Sequence, residues 1–510
     1  YVKLTTKAQI NAIDQEAIQD YKIPSILLME HAAYSVFRYI DKQYETRQSI
    51  TILCGPGNNG GDGLALARQL VIGAKHKVKV ILLAIPQKLS LDGQTYYEMC
   101  KQMNVNIKEG YAFLKIQRAL EGADIIVDAL FGTGLTRPIT GQYYNVIEWI
   151  NSQDKTVISI DMPSGISADT GQVLGIAIKA SVTISFALPK LGLYLYPGID
   201  YVGKIMIKDI GVPKTILENC PSRIFAMDEI YAKAYLPRRY TRSNKGTYGK
   251  VLIIGGQSGM SGAVTLAGES CMRSGAGTVT IAVPKSISDI LEINLTESMT
   301  ITLPDDEGQL SVEAVPILRK LIEKYDVLAV GPGIGRSKAI EEILKVVLES
   351  NKPCVIDADG LYALKNHLEF LKTRTSPVVL TPHPGELAYL MDKSISDILE
   401  NPLRISEEFI KQYPVTLVLK LERTIIKDAE KTFINTTGNN GLAKGGSGDV
   451  LTGIITALMG QNVPPNEAAR LGVYIHGKAA DKMIEEKSRY SLLPHDINNG
   501  IGKIFREIED

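Results

Sequence analysis

The sequence predicts an α/β protein with two doubly wound domains, and three observations lead to this prediction. The chain has 510 residues, more than one hydrophobic core usually supports, so two domains of about 200–300 residues are expected. Short apolar, β-branched runs alternate with helical patterns in two separate series, which is typical of parallel sheets. Each series also carries its own glycine-rich loop after a strand, where such sheets bind ligands.

The predicted strands fall into two groups along the chain. The first group comprises Ser49–Cys54, Val78–Ala84, Ile125–Leu130, Thr156–Ile160 and Val182–Ala187. The second group comprises Lys250–Ile254, Thr278–Val283, Val327–Val330, Cys354–Ile356, Val378–Leu380 and Thr416–Leu419. Between them lies a segment with three prolines and a basic cluster, which is typical of a connector. We therefore expect a first domain over residues 1–212, a connector over 213–242 and a second domain over 243–510.

Charge and cysteine content narrow the class of protein. Lys+Arg and Asp+Glu are equal at 56 each, so no overall field attracts nucleic acid or an anionic membrane. There is no charged leader with an apolar core and no apolar run long enough to span a bilayer. The five cysteines are scattered and lack metal-ligand spacing, as in reduced cytosolic proteins. We expect a cytoplasmic protein without nucleic-acid or membrane partners, and assembly into a homo-oligomer is left open.

The most informative motif is the glycine-rich loop at residues 438–453, which leads into an apolar helix, Val450–Met459. Its glycines let the backbone approach an anion, and a helix that begins near Ser447 points free N–H groups at a phosphate. Asp449 would then lie beside that phosphate, where a carboxylate can take a proton from a hydroxyl that attacks phosphorus. The alternative is an ordinary helix start, capped by Ser447 and favoured by the charge of Asp449. A cap needs no run of glycines, which favours the phosphate site.

The first domain carries a second glycine loop, Gly55–Gly63, between a strand and the predicted helix Leu64–Ile72. The loop contains G-x-G-x-x-G, but no acid ends the following strand to hold a ribose, so a dinucleotide fingerprint is incomplete. No Lys-Ser/Thr pair follows the glycines, which excludes a Walker A motif. The polar side chains of Asn58, Asn59 and Asp62 are the distinctive part of the loop.

Two further strands of the first domain end in acids. Asp128 precedes a potential phosphate nest at 132–134, and Asp161 begins a short loop that contains Ser164. Because the carboxyl ends of parallel strands meet at one edge, these residues and Asn59 are expected to share a cleft. Oxygen ligands without His or Cys suit a hard cation such as potassium or magnesium. A turn or cap role is the alternative for any single acid.

Taken together, these motifs resemble two enzyme families. The loop at 57–63, the segment 128–134 and the segment 161–165 are similar to those of the hydrated-NAD(P)H epimerases. Residues 331–335, 381–386 and 438–449 are similar to those of ribokinase-like dehydratases that act on the same hydrated cofactor. The resemblance covers nearly all of the chain except the connector. It implies a Rossmann-like three-layer sandwich followed by a ribokinase-like domain.

For the first domain, the resemblance implies interconversion of the R and S hydrates of NADH and NADPH. Asp161 is then the candidate catalytic group that moves protons. By the same resemblance, potassium would be held by Asn59, Asp128 and Ser164. The residues expected to face the dinucleotide are Asn58, Asn59, Gly60, Gly61, Asp62, Gly132, Thr133, Gly134, Leu135, Thr136, Arg137, Pro138, Tyr143 and Asp161.

For the second domain, the resemblance implies dehydration of the S hydrate to NAD(P)H, driven by ADP or ATP with magnesium, with Asp449 as the catalytic base. The residues expected to line the hydrate site are Ala263, Gly333, His383 and Asp449. Those expected to contact the nucleotide are Lys420, Leu421, Glu422, Arg423, Thr424 and Gly448. Leu421 stands where the family usually has glycine and Lys444 where it usually has threonine, so the fit of the nucleotide is left open. The choices between ADP and ATP and between the two hydrates are also open.

Two alternative functions remain at this point. The second domain could be a sugar or vitamin kinase, because the same loop serves other hydroxyl acceptors on that fold. A kinase would release a stable phosphorylated product, whereas a dehydratase would restore the absorbance of reduced nicotinamide. The first domain could be a nucleotide-binding module without catalysis, which a test for epimer interconversion would reveal.

Overall fold

The computed structural model describes residues 1–110 and 112–509. The chain divides into two compact units, Lys3–Arg223 and a C-terminal unit formed by Tyr1–Val2 and Ile224–Asp510. The division therefore falls within residues 213–242, the segment with the sequence features of a connector. That segment is itself folded, with a short helix, Lys214–Asn219, in the first unit and a strand, Ile224–Ala226, in the second.

The N-terminal unit is built on a seven-stranded sheet in which all the recorded strand pairs are parallel. The chain begins with β1 (Val2–Leu4), whose first residue groups with the C-terminal unit. The strands of the sheet are β2 (Ser49–Cys54), β3 (Lys77–Leu82), β4 (Asn106–Glu109), β5 (Ile125–Ala129), β6 (Thr156–Ile160), β7 (Val182–Phe186) and β8 (Lys204–Lys208). Their order is β4-β3-β2-β5-β6-β7-β8. The reversal of order beside β2 and β5 opens a crevice at the carboxyl ends of these strands.

Apolar helices cover this sheet. They are α1 (Lys7–Gln19), α2 (Ser25–Gln43), α3 (Asn58–Gly73), α4 (Leu91–Gln102), α5 (Phe113–Glu121), α6 (Gly141–Asn151) and α7 (Lys214–Asn219). Every residue of the central strand β5 is buried, as expected of a strand that is covered on both faces. The buried residues form two main clusters, so the unit has the three layers of a doubly wound fold.

The C-terminal unit contains ten strands of the longer sheet, whose eleventh strand within the described residues is β1. The strands of this unit are β9 (Ile224–Ala226), β10 (Lys250–Ile254), β11 (Thr278–Pro284), β12 (Met299–Leu303), β13 (Asp305–Asp306), β14 (Gln309–Leu310), β15 (Val327–Val330), β16 (Cys354–Ile356), β17 (Val378–Leu380), β18 (Thr416–Leu419), β19 (Ile425–Lys427) and β20 (Thr432–Ile434). Strands β13 and β14 form a separate short hairpin, and the others belong to the longer sheet. The order is β1-β9-β20-β19-β18-β17-β16-β15-β10-β11-β12. In the part of this order that runs from β18 through β15 and β10 to β12, neighbouring strands pair in parallel. Strands β18, β19 and β20 form an antiparallel meander.

Two layers of helices enclose the parallel part of this sheet, each with its own buried apolar cluster. The helices are α8 (Glu229–Tyr235), α9 (Ser261–Arg273), α10 (Ser288–Asn294), α11 (Ala314–Ile322), α12 (Lys338–Glu349), α13 (Asp359–Leu364), α14 (Phe370–Thr373), α15 (Pro384–Met391), α16 (Ile395–Glu400), α17 (Pro402–Gln412), α18 (Ser447–Gly460), α19 (Pro465–Met483) and α20 (Pro494–Glu509). Helix α18 is buried along nearly its whole length because α9 and α19 pack against it. Among the described residues, no helix is both long and apolar enough to cross a membrane.

The structure contains all eleven predicted strands, with small differences at their ends. One helix begins earlier than predicted, since α3 starts at Asn58 and takes in most of the first glycine loop. The glycines allow this start because they let the helix approach the sheet. A Cβ atom on Gly63 would lie 2.7 Å from both Ala129 Cβ and Cys54 Sγ. The loop is therefore largely the first turns of a helix packed on β2 and β5.

Candidate active sites

A cavity of about 570 Å³ lies at the carboxyl ends of the strands in the N-terminal unit. The predicted residues that line it are Asn58, Asn59, Asp62, Gly132, Thr133, Gly134, Leu135, Thr136, Arg137 and Asp161. Gly60 and Gly61 lie in the first turn of α3 but are not among the lining residues, and neither are Pro138 and Tyr143. The Tyr143 hydroxyl donates to the Leu83 carbonyl, and its ring packs against Phe131. The glycine loop, the 132–137 segment and Asp161 thus meet at one place.

Beside this cavity, Asp128 and Ser164 form a buried network. Ser164 Oγ donates to Asp128 Oδ1 at 2.5 Å, and the Ser164 backbone N–H donates to Oδ2 at 2.8 Å. Ser159 Oγ also donates to Oδ2 at 2.8 Å. Burial raises the pKa of Asp128, while these hydrogen bonds oppose the rise. Asn59 is buried too, and its side-chain amide has no hydrogen-bond partner among the described residues.

Asp161 is paired with a lysine that the motifs did not single out. Lys190 Nζ donates to Asp161 Oδ1, and only 2% of the Lys190 surface is exposed. Two more acids, Asp14 and Asp62, also line the cavity. Burial raises the pKa of Asp14 to about 6, with Lys190 lowering it and Asp161 raising it. Burial also raises the pKa of Asp62, so the cavity concentrates carboxyl groups around one buried ammonium group.

A second cavity, of about 550 Å³, lies in the C-terminal unit. Four predicted residues line it together, namely Ala263, Gly333, His383 and Asp449. Asp449 lies in the first turn of α18, a helix that begins directly after Gly446, and Gly446 has a left-handed φ of 99°. A Cβ atom on Gly446 would come within 2.7 Å of Leu266 Cδ1, so the turn requires glycine on two grounds.

Asp449 lies in a negatively charged environment. Burial raises its pKa to about 7, Asp357 and Glu386 add to the rise, and Lys420 opposes it. Lys420 is itself held by the other acids, because its Nζ donates to Asp357 Oδ1 at 2.9 Å and lies 3.9 Å from Glu386 Oε2. Thr452 Oγ1 donates to Asp357 Oδ2 at 2.7 Å. The site therefore places three carboxyl groups around one lysine at the start of a helix.

Only some of the residues that were predicted to contact the nucleotide lie close to one another. Lys420 faces the start of α18, since a Cβ atom on Gly448 would lie 3.3 Å from Lys420 Nζ. Residues 421–424 form the turn between β18 and β19 and do not line the second cavity. Leu421 is partly buried against the apolar cluster of the unit. Lys444 Nζ donates to the Tyr490 carbonyl at 2.6 Å, so its side chain lies along the protein surface.

His383 lines the second cavity, as predicted, and also caps a helix, which the sequence did not predict. It is the N-cap of α15, where its Nδ1 accepts from the backbone N–H groups of Gly385 at 3.0 Å and Glu386 at 3.3 Å. The Glu386 carboxylate accepts in turn from the His383 backbone N–H at 2.8 Å, which completes a capping box. His383 also lines the second cavity, and burial lowers its pKa.

Several residues of the two cavities were not predicted from the sequence. They are Asp14 and Lys190 in the first cavity, and Arg336, Asp359, Tyr362 and Glu386 in the second, with Asp357 behind them. Arg336 Nε donates to Asp359 Oδ1 at 2.7 Å, and the guanidinium group stacks on the Tyr362 ring. The signal that could have identified Lys190 is its position shortly after β7 in an otherwise apolar segment.

The two α/β units each have a glycine loop and an acid beside a cavity of their own, an arrangement typical of an enzyme with two active sites. The family model described as NAD(P)H-hydrate dehydratase matches residues 251–503. The model described as YjeF-related protein N-terminus matches residues 25–192. A ribokinase-like superfamily protein from Enterococcus faecalis is 28% identical with a TM-score of 0.50, and the match covers 56% of this chain and 96% of that chain.

Relatives that match over nearly the whole chain show its family. The bifunctional NAD(P)H-hydrate repair enzyme of Moorella thermoacetica is 39% identical, over 99% of this chain and 97% of its own length. The enzyme of the same name from Thermofilum pendens is 36% identical, over 100% of this chain and 97% of its own length. The chain belongs to the family of bifunctional NAD(P)H-hydrate repair enzymes. The predicted α/β class with two domains and the predicted family are therefore confirmed.

Proposed function

We propose that the N-terminal unit interconverts the R and S hydrates of NADH and NADPH, and that the C-terminal unit dehydrates the S hydrate with ADP or ATP as phosphoryl donor. Family membership supports both activities. The assignment of catalytic roles rests on the positions of two acids, Asp161 and Asp449. Asp161 and Asp449 each lie in a cavity beside a glycine loop, in separate units.

In the N-terminal unit, the substrate is a hemiaminal whose hydroxyl group is on the ring carbon next to nitrogen. Two routes invert this carbon. In the first route, the hydroxyl leaves as water and water returns to the other face. In the second, the hydroxyl proton passes to the ring nitrogen while the carbon–nitrogen bond breaks, and the ring then closes with the opposite configuration. Both routes need one group that accepts and returns a proton, and Asp161 supplies it.

In the C-terminal unit, Asp449 takes the proton of the hydrate hydroxyl as its oxygen attacks the terminal phosphorus, and the nucleotide leaves. The new phosphate ester is a better leaving group than hydroxide. The ring nitrogen then expels phosphate, and the departing phosphate takes a proton from the neighbouring ring carbon, which restores the dihydronicotinamide. Burial raises the pKa of Asp449 to about 7, which gives its carboxylate more affinity for the proton that it takes.

The acids in and directly behind the second cavity would suit magnesium. Asp357, Glu386 and Asp449 outnumber the single lysine among them, so a divalent cation would offset the remaining negative charge. Asp357 and Glu386 would hold the ion. When bound, magnesium would neutralise phosphate charge, while Lys420 and the N–H groups at the start of α18 would orient the phosphates.

The first cavity similarly suits potassium. Within the described residues, no cluster of three or more His, Cys, Asp and Glu side chains is arranged for a metal. Potassium needs only neutral and anionic oxygens, however, and Asn59 offers a buried amide oxygen without a partner next to the Gly132 segment. Asn59, Asp128 and Ser164 would hold the ion and so fix the loops that surround the substrate.

A spectrophotometric assay of the full chain tests this function. A mixture of hydrated NADH epimers is supplied with ADP or ATP and magnesium, and the absorbance of reduced nicotinamide is followed. Complete recovery is expected in two phases, a fast phase for the S hydrate and a slower phase limited by epimerisation. A stable phosphorylated product without recovered absorbance would show a kinase instead. A fast phase alone, with spontaneous exchange only, would show that the N-terminal unit does not epimerise.

The same assay tests the cation. Asp128→Asn removes one negative charge from the potassium ligands and keeps the shape of the side chain. We expect the slow phase to fall about 10–100-fold, in the range seen for losses of metal-site partners, and the fast phase to stay unchanged. An unaltered slow phase in both potassium and sodium buffers would show that the site holds no functional cation.

A further inference from the structure

The two oxygens of the Asp161 carboxylate have different surroundings. Oδ1 accepts from Lys190 Nζ and, at 3.2 Å, from Ser185 Oγ. Lys190 Nζ also donates to Ser185 Oγ at 3.1 Å and to the Phe186 carbonyl at 3.3 Å. An ammonium group has three protons to donate, so these three acceptors fix its position.

The other oxygen, Oδ2, faces the glycine segment of the cavity. A Cβ atom on Gly132 would lie 3.5 Å from Asp161 Oδ2 and 3.5 Å from Asn59 Cγ. Gly132 and Asn59 both line the first cavity. Oδ2 is therefore directed at the space where the predicted substrate residues meet, while Oδ1 is held on the protein side.

The backbone keeps the carboxylate in this orientation. Asp161 has a left-handed φ of 65°, which is uncommon for a residue with a side chain. Its backbone N–H donates to the Ile184 carbonyl of β7 at 2.8 Å, and this bond and the Lys190 contact together stabilise the unusual conformation. A buried ammonium group is unfavourable unless it is paired, so Lys190 and Asp161 stabilise each other.

We infer that Lys190 is a positioning residue for epimerisation, a step that rests on the proposed function of the N-terminal unit. Lys190 holds Oδ1 of Asp161 so that Oδ2 is the atom that exchanges the proton with the hydrate. In the ring-opening route, Oδ2 receives the hydroxyl proton and passes it to the ring nitrogen as the carbon–nitrogen bond breaks, and closure reverses both transfers. In the route through water, Oδ2 gives its proton to the departing hydroxyl and regains one from the returning water.

The test compares full-length Lys190→Met, Lys190→Arg and Ser185→Ala with the unmodified chain in the two-phase assay. Methionine keeps a linear apolar side chain but removes the charge, so we expect kcat of the slow phase to fall about 100-fold, as displaced reacting groups do. KM is expected to stay within about threefold. Lys190→Arg should restore most of kcat because it can still hold Oδ1. Ser185→Ala should lower kcat by less than Lys190→Met.

The fast phase is the internal control, since it depends on the C-terminal unit of the same molecule. The thermal transition of each variant reports whether the N-terminal unit is folded. A folded Lys190→Met that epimerises at the normal rate overturns the inference, and so does a loss confined to KM. If Lys190→Met fails to fold, the other two variants decide, since an unchanged kcat in Ser185→Ala, or a loss confined to KM in Lys190→Arg, would overturn the inference. An unmodified chain without a slow phase refutes the epimerase function itself, which is a different result.

Discussion

The two predicted catalytic acids, Asp161 and Asp449, differ in how the neighbouring lysine is bound. Asp161 lies next to a buried lysine that is committed to one of its oxygens. Asp449 lies next to a lysine that is already bound to Asp357, and its pKa is raised to about 7. Epimerisation is reversible and needs a proton carrier that is held in one orientation. Phosphoryl transfer needs a base that is ionised near neutral pH and keeps some affinity for the proton it takes. The difference between the two environments is consistent with the roles that we propose for Asp161 and Asp449.

The largest expected effect separates the two acids directly. Asp449→Asn removes the base but keeps the side-chain shape, so we expect dehydration to fall by about two to four orders of magnitude, the range for loss of a general base. Epimerisation should be unchanged, because Asp161 and its partners lie in the other unit. The measurement is the fast phase on S hydrate, with the exchange of epimers followed separately by chromatography. Near-normal turnover would mean that Asp449 is not the base and that its charge only interacts favourably with the helix dipole.

A smaller effect tests the orientation of Asp161. Gly132→Ala places a methyl group 3.5 Å from Oδ2, an ordinary contact distance that the fold tolerates but that occupies the space in front of the carboxylate. We expect epimerisation to fall about tenfold, the lower range for one extra methyl group in a pocket. Gly122→Ala is the matched control, because a Cβ atom at Gly122 would have no neighbour within 4 Å. Equal rates for both variants would mean that substrate does not approach Oδ2.

The pH dependence distinguishes the two units without mutation. Asp449 must be ionised to act as base, and its raised pKa means that protonation begins to inactivate it near pH 7. Below that pH we expect kcat/KM for dehydration to fall about tenfold per pH unit, and above it to reach a plateau. The measurement is the initial rate at low hydrate concentration between pH 5 and 9, corrected for spontaneous hydrate decay. A flat profile through pH 6 would show that the group acts with an ordinary carboxylate pKa.

How far the sequence predicts this structure depends on burial and on separation along the chain. The central strands were predicted because their apolar runs are covered on both faces, as in β5. The edge strands β4 (Asn106–Glu109) and β8 (Lys204–Lys208) were missed, since they are partly exposed and carry charged side chains. An edge strand has only one neighbour and so lacks the continuous apolar pattern.

The same reasoning explains the sites. Asp161 and Asp449 were predicted as catalytic residues because each lies in a motif that is continuous in the sequence, and these roles also stay predictions. The family resemblance added Asn59 and Ser164 as cation ligands, and these assignments stay predictions. Asp357 and Lys420 are 63 residues apart and meet only because β16 and β18 end at the same edge of the sheet. Local patterns carry no information about such a pair, and the folded sheet is needed to bring it together.

The smallest expected effect concerns His383, which has a structural role as a helix cap and lies where it could also contact the substrate. Its ring caps α15 and also lines the second cavity. His383→Ala removes the cap acceptor, so we expect a loss of about 1 kcal/mol in the free energy of unfolding of the C-terminal unit. His383→Asn keeps an oxygen that can accept from the same N–H groups, so its stability should stay close to that of the unmodified chain, as measured by denaturant unfolding. If the imidazole also contacts the hydrate, KM for dehydration should rise in both variants, even though only the alanine variant is destabilised. A normal KM in the stable asparagine variant would assign His383 to the helix cap alone.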